Sequence, residues 1–274
     1  MLTLVAAVLG AGAACSTPAQ PRDDGRRKVL ATFTVIADMA RQVAGDRLDV
    51  ESITKVGSEI HEYEPTPDDL VRAEGADLVL DNGLGLERWF RRFVERADVP
   101  SVAVSTGVEP IPISVGSYQG QANPHAWMSP RVGALYVANI RDALSRLDPA
   151  NATYYRDNAR RYEERLRAVE QDLARELATL PPQQRALVTC EGAFSYLARD
   201  TGLREGYLWP VNSDAEGTPQ QVAAVIGFVR ANQVPAVFCE STVNDAAQRQ
   251  VARETGARLG PTLYVDSLSG PDGP

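Results

Sequence analysis

The sequence predicts an α/β protein, with two lobes of mostly parallel sheet joined by one long helix. Three observations carry this. Short apolar, β-branched runs alternate with helical segments from Lys28 to Val104. A long, highly charged helical stretch then runs from Ala150 to Leu180 and is closed by Pro181-Pro182. After it the alternation resumes, from Arg185 to Val265. Strands and helices alternating at these lengths make a parallel sheet covered by helices.

The first lobe opens with Lys28 to Ile36, an apolar and β-branched run that reads as a strand. Ala37 to Ala44 reads as a helix stopped by Gly45, and Leu48 to Thr54 alternates like a second strand. Val56 to Thr66 carries Gly57, Pro65 and acidic residues and reads as a loop. Thr66-Pro67-Asp68-Asp69 then starts a helix running to about Glu74. Thr66 is a good N-cap, Pro67 suits the first helical position, and the aspartates favour the positive end of the dipole. A short strand at Asp77 to Leu80 leads into the Asp81-Asn82-Gly83 turn. Leu86 to Arg96 reads as a helix with Trp89, Phe90 and Phe93 on one side, and Val99 to Val104 as a strand. Glu109 to Asn123 has no periodicity and reads as loop. Pro130 to Leu147 is helical, broken by Asp148-Pro149.

In the long helix, Tyr155, Tyr162, Leu166, Val169, Leu173 and Leu177 recur at helical spacing and mark a narrow apolar stripe. The second lobe then reads as strand Arg185 to Thr189, helix Gly192 to Asp200 and a helix from Thr218-Pro219 to Ala231. Strand Ala236 to Cys239, helix Asp245 to Thr255 and a last short strand at Leu263-Tyr264-Val265 follow.

The composition is that of a globular protein, with 44% hydrophobic and 23% charged residues over 274 positions. A net charge of −8 argues against a nucleic-acid partner, whose footprint is basic, and against an anionic membrane surface. Met1 to Ala14 carry no charge and end in small residues before Cys15. Such a run is too short to span a bilayer and reads as a secretory signal. With Cys15 at the cleavage point it resembles a bacterial lipoprotein signal, in which that thiol is lipidated. Two features depart from that pattern: Gly12 stands where a larger aliphatic is usual, and no Lys or Arg precedes the run. Ser16 onward is polar, with Pro18 and Pro21, and reads as a tether. The other two cysteines, Cys190 and Cys239, each end a β-branched run and could lie on neighbouring strands. Two buried free thiols are favoured over a bridge, although an exported protein can oxidise such a pair.

The chain holds two histidines, His61 and His125, both in loop-like stretches. One such histidine is usually a surface or capping residue; two of them weaken that reading. Glu191 follows the Arg185 strand and Asp266 follows the Leu263 strand. In a parallel α/β sheet, ligands bind beyond the carboxyl ends of the strands. All four residues lie there, two from each lobe, so they are expected to meet across an interlobe cleft. Two imidazoles and two carboxylates suit a divalent transition ion.

The stretch from Phe33 to Asp266 resembles the metal-binding family of ABC-transporter solute-binding lipoproteins, the zinc-uptake-A-like group that takes up manganese, iron or zinc. Four segments carry the likeness: Gly57 to Pro67, Asn123-Pro124-His125-Ala126-Trp127, Cys190 to Phe194, and Thr262 to Ser267. Asn82-Gly83-Leu84 and Glu216-Gly217-Thr218-Pro219 add to it. The resemblance implies metal ligation by His61, His125, Glu191 and Asp266, and two lobes bridged by a rigid helix. It implies an extracytoplasmic monomer that passes one ion to an ABC permease, without catalysis. The chain then divides into a lipoprotein-like signal (1–15), tether (16–27), N-terminal lobe (28–149), connecting helix (150–180) and C-terminal lobe (181–274). Members of the family usually continue past the Asp266 position with a loop and a helix, and this sequence stops at Pro274, so Asp266 is expected near a loosely packed end.

Zinc members commonly carry a third histidine at the third ligand and a His-rich loop between the first two. Glu191 and the absence of any His between His61 and His125 resemble the manganese and iron branch instead. The expected order is manganese, then iron, then zinc. Two other readings use the same residues: a metallohydrolase, and a surface adhesin with a structural metal. The first lacks a His-Glu-x-x-His helix and a Gly-x-Ser-x-Gly elbow.

Overall fold

The structure, a computed structural model, describes residues 25–89, 98–212, 217–271 and 273. The signal-like segment with Cys15 and most of the Leu86 to Arg96 helix expected from the sequence lie outside them.

The first lobe is one parallel sheet of β1 (Lys28–Ala31), β2 (Asp49–Ser52), β3 (Leu78–Asp81) and β4 (Ser101–Ala103), in the order β2-β1-β3-β4. Val29 pairs with Val50 on one side and Leu78 on the other, so β1 is central and apolar on both faces. The sequence reading ran the first strand to Ile36, but the chain enters helix α1 (Thr34–Ala44) instead. Ile36, Ala37, Met39, Ala40, Val43 and Ala44 are all buried, and this helical spacing outweighs the β preference of Thr34-Val35-Ile36.

Helix α2 (Pro67–Glu74) starts where the sequence said. Thr66 Oγ1 accepts from Asp69 N, and the Asp69 carboxylate accepts from Thr66 N, a reciprocal cap. Helix α3 (Pro130–Leu147) starts on Ser129, whose hydroxyl accepts from Val132 N. The long helix α4 (Ala152–Ala178) packs against α1 and α3. Of its apolar stripe only Tyr155 is buried, with Asn158 and Ala159 beside it. Tyr162 and Leu166 are half-covered, and Val169 is exposed.

In the second lobe β5 (Ala186–Glu191) pairs in parallel with β6 (Arg204–Trp209), with α5 (Ser195–Thr201) between them. Helix α6 (Pro219–Ala231), β7 (Ala236–Val237), α7 (Ala246–Thr255) and β8 (Arg258–Leu259) follow, β7 and β8 again parallel. Phe238 N–H donates to Val188 O and links the two strand pairs. The strand expected at Leu263 to Val265 is reduced to a single bridge between Glu240 and Leu263. Strand β6 opens Arg-Glu-Gly and β8 is only two residues long, so neither shows a strand pattern in the sequence.

Cys190 and Cys239 form a disulfide across these elements, which corrects the expectation of two free thiols. Both sit where strands run side by side, and the Cα atoms are 4.9 Å apart, within bridging range. No helix among the described residues is long and apolar enough to cross a membrane.

Candidate metal centre

Each of the four expected donors is placed by the end of a strand or the start of a helix. His61 lies in the loop after β2, in a turn closed by Glu59, whose carboxylate accepts from the backbone N–H groups of His61 and Glu62. His125 lies two residues after Asn123, just before a single helical turn at Ala126–Met128. Glu191 is the last residue of β5, and Asp266 follows the Leu263 bridge. The structure brings all four together: their donor atoms lie within 4.8 Å of one another. The two lobes supply two donors each.

The distances are short and the site is buried. His61 Nε2 and His125 Nε2 are 3.1 Å apart, and each is 3.2 Å from Glu191 Oε1. Asp266 Oδ1 is 3.8 Å from the first and 3.9 Å from the second. His125, Glu191 and Asp266 are fully buried and His61 nearly so. Glu191 Oε2 and Asp266 Oδ1 are buried without a hydrogen-bond partner. Buried carboxylate oxygens left unpaired are costly unless a cation takes them. Two imidazole nitrogens and these oxygens form such a seat.

Surrounding residues orient the donors. Asn123 Oδ1 lies 2.9 Å from His125 Nδ1, and an amide oxygen can only accept. Nδ1 is therefore the donor to Asn123, and Nε2 is directed at the site. Asn123 Nδ2 donates to Gly192 O, beside Glu191, and ties the lobes together. Asn82 Nδ2 donates to Pro124 O, and Tyr136 OH donates to Asn82 Oδ1, which pins the His125 loop from below. Trp127 lies tilted against His125, ring centroids 5.3 Å apart, and donates its indole N–H to Val265 O. Ser267 Oγ accepts from Gly57 N, and Leu268 N donates to Thr34 Oγ1. Asp266 is thus held firmly by its neighbours and is not at a loose end.

The charges are strongly coupled. Burial works against protonated His61, but the Glu191 carboxylate, and more weakly Asp266 and Glu59, raise its pKa to about 9. Burial tends to raise Glu191, yet the charges of His125 and His61 hold it well below the usual carboxylate range. Burial and then the charge of Glu191 push Asp266 up. A third acid, Glu240, is pushed up to about 9 by burial and then by Glu191, and its Oε2 accepts from Glu191 N. The sequence reading missed Glu240 and Asn212. Glu240 follows Cys239 as Glu191 follows Cys190, a parallel that could have drawn attention to it. Asn212 carries no such signal.

These values fix a pH dependence. At pH 7 His61 holds a proton that an incoming ion must expel. Apparent metal affinity should therefore rise with pH, by about tenfold per unit up to about pH 9, then level off. Calorimetric titrations in two buffers of different ionisation enthalpy should show at least one proton released per ion bound, the His61 proton with a further share from the raised Asp266. Affinity that is flat from pH 6 to 9 would contradict this.

Known proteins match both sequence and geometry. Residues 29–274 match the family model described as zinc-uptake complex component A, periplasmic (ZnuA). The iron-binding protein YfeA of Yersinia pestis is 54% identical over 93% of this chain and 82% of its own length. The manganese ABC transporter substrate-binding lipoprotein PsaA of Streptococcus anginosus is 34% identical over 93% of this chain and 86% of its own. A mutant of the periplasmic metal-binding protein of Candidatus Liberibacter asiaticus, solved with manganese bound, superposes with a TM-score of 0.85. It is 39% identical, with 91% of this chain and 93% of that one covered. With its two-lobed α/β fold and convergent acid and imidazole donors, the chain belongs to the ZnuA family of extracytoplasmic, metal-binding substrate-binding proteins of ABC transporters.

Proposed function

We propose that this protein captures one divalent transition ion on His61, His125, Glu191 and Asp266 and delivers it to an ABC permease. Manganese(II) is the first choice, then iron(II), then zinc(II). The observation that carries the reading is a buried cluster in which Glu191 Oε1 and Asp266 Oδ1 lie 3.2 to 3.9 Å from two imidazole nitrogens, with Asp266 Oδ1 and Glu191 Oε2 left without a hydrogen-bond partner. Two carboxylates make the set harder than one built on three histidines and favour manganese and iron. The names of the similar Streptococcus and Yersinia proteins point the same way. A site of this kind still binds zinc more tightly than manganese in equilibrium, so selection in the cell rests on geometry, supply and the permease. Cys15 is the proposed lipid anchor, ahead of a tether to residue 27, lobes at 28–149 and 181–274, and a connecting helix at 150–180. The protein acts as a monomer.

The test is metal content by mass spectrometry, on protein from Ser16 onward purified without chelator. It is then competed with equal manganese, iron and zinc without oxygen. One ion per chain is expected, lost when His61 and His125 are both changed to Ala. Stoichiometric binding that survives the double change would overturn the assignment.

A further inference from the structure

The two oxygens of Asp266 are treated differently. Oδ1 faces the imidazoles and has no hydrogen-bond partner. Oδ2 accepts from Asn212 Nδ2 at 3.1 Å and from Thr242 Oγ1 at 3.3 Å. The same Asn212 donates its backbone N–H to Glu191 Oε1 at 2.8 Å. One residue therefore holds both carboxylates of the site, and both come from the second lobe.

The orientation of the Asn212 amide is itself fixed. Trp209 Nε1 lies 2.8 Å from Asn212 Oδ1. An indole N–H can only donate, so the atom facing it is the amide oxygen, and the NH₂ group must face Asp266. Trp209 and Asn212 are each 2% exposed, so water competes little for these bonds. The chain of contacts runs from Trp209 through Asn212 to both acids.

We propose that Asn212 is a positioning residue that presents Asp266 to the ion as a one-oxygen donor. The inference rests on the ligand set proposed above. With Oδ2 held, the site offers two nitrogens and at most three carboxylate oxygens, fewer than a six-coordinate ion takes up by itself. Groups that orient ligands from behind typically change metal affinity by about 10- to 100-fold when removed.

The test uses the full chain and three variants. Asn212→Leu is close in size and removes the side-chain bonds, while the backbone N–H to Glu191 stays. Trp209→Phe leaves every donor and Asn212 in place and removes only the bond that fixes the amide. Thr242→Val removes the weaker bond to Oδ2 and is the milder change should the Leu variant fold poorly. Manganese(II) affinity, the melting temperature without metal, and the zero-field splitting of bound manganese in paramagnetic resonance are measured for each. Asn212→Leu should bind manganese roughly 10- to 100-fold more weakly, with an altered splitting. Trp209→Phe and Thr242→Val should shift both readouts in the same direction by less. Variants that melt earlier but keep wild-type affinity and spectrum would overturn the proposal. His61→Ala separates the two levels. If it still binds manganese, the ligand set is wrong. If it fails to bind while Asn212→Leu and Thr242→Val match the wild type, only the positioning role is wrong.

Discussion

Changing Glu191 to Gln should weaken manganese binding by roughly 100- to 3,000-fold. Glu191 Oε1 lies 3.2 Å from both imidazole nitrogens in a buried site. Removing one partner of a buried charged pair costs about 3–5 kcal/mol, and about 1.4 kcal/mol is a factor of ten in affinity. Glutamine keeps the size and can still accept from Asn212 N, so the loss measures charge and donor strength and not packing. The variant has a second signature. The Glu191 carboxylate is the main group raising His61, so without it burial pulls the His61 pKa down. Fewer protons should leave on binding at pH 7, and the affinity should depend less on pH. Competition against a chelator measures the first effect and two-buffer calorimetry the second. A loss of less than tenfold would show that Glu191 is not a ligand.

The second large effect falls on stability. Replacing Cys190 and Cys239 together by Ala should cost about 4 kcal/mol in chain entropy, given the 49-residue separation that the bridge closes. For a chain of this size that is a fall of about 10 °C in melting temperature. Calorimetry of the metal-free protein in oxidised, reduced and double-alanine forms tests it. The reduced and alanine forms should melt together, well below the oxidised form. Equal melting of all three would mean that the second lobe does not depend on the bridge.

The sequence was clearest where a residue type has one local job. Thr66-Pro67 and Thr218-Pro219 announced helix starts because caps and N-terminal prolines act within one turn. The four residues that cluster here, His61, His125, Glu191 and Asp266, could be picked out because only two histidines exist and because acids at strand ends point at a common crevice. What was hidden depends on long-range packing. Strand β6 reads Arg-Glu-Gly-Tyr-Leu-Trp, and its Gly206 looks like a break. In the fold, a Cβ there would meet the Phe228 ring at 2.8 Å, so the glycine lets α6 lie close on the strand. The disulfide was missed because pairing between distant cysteines cannot be read from spacing. Asn212 was missed because an amide shows its role only through what surrounds it.

Phe194, Tyr196 and Val265 come from the second half of the chain, yet they are buried in the core built around β1, α1 and α3. The second lobe keeps a core of its own around Val188, Leu208, Val225 and Val237, but these residues tie it into the first, so the two are expected to melt as one cooperative unit. A single calorimetric transition is expected, with matching calorimetric and van't Hoff enthalpies. Slowly exchanging amides in β1 and β5 should open through the same global event. Ion release is therefore expected to come from local movement of the loops around His61, His125 and Asp266, on a frame that largely keeps its shape, and not from the swing of two independent halves.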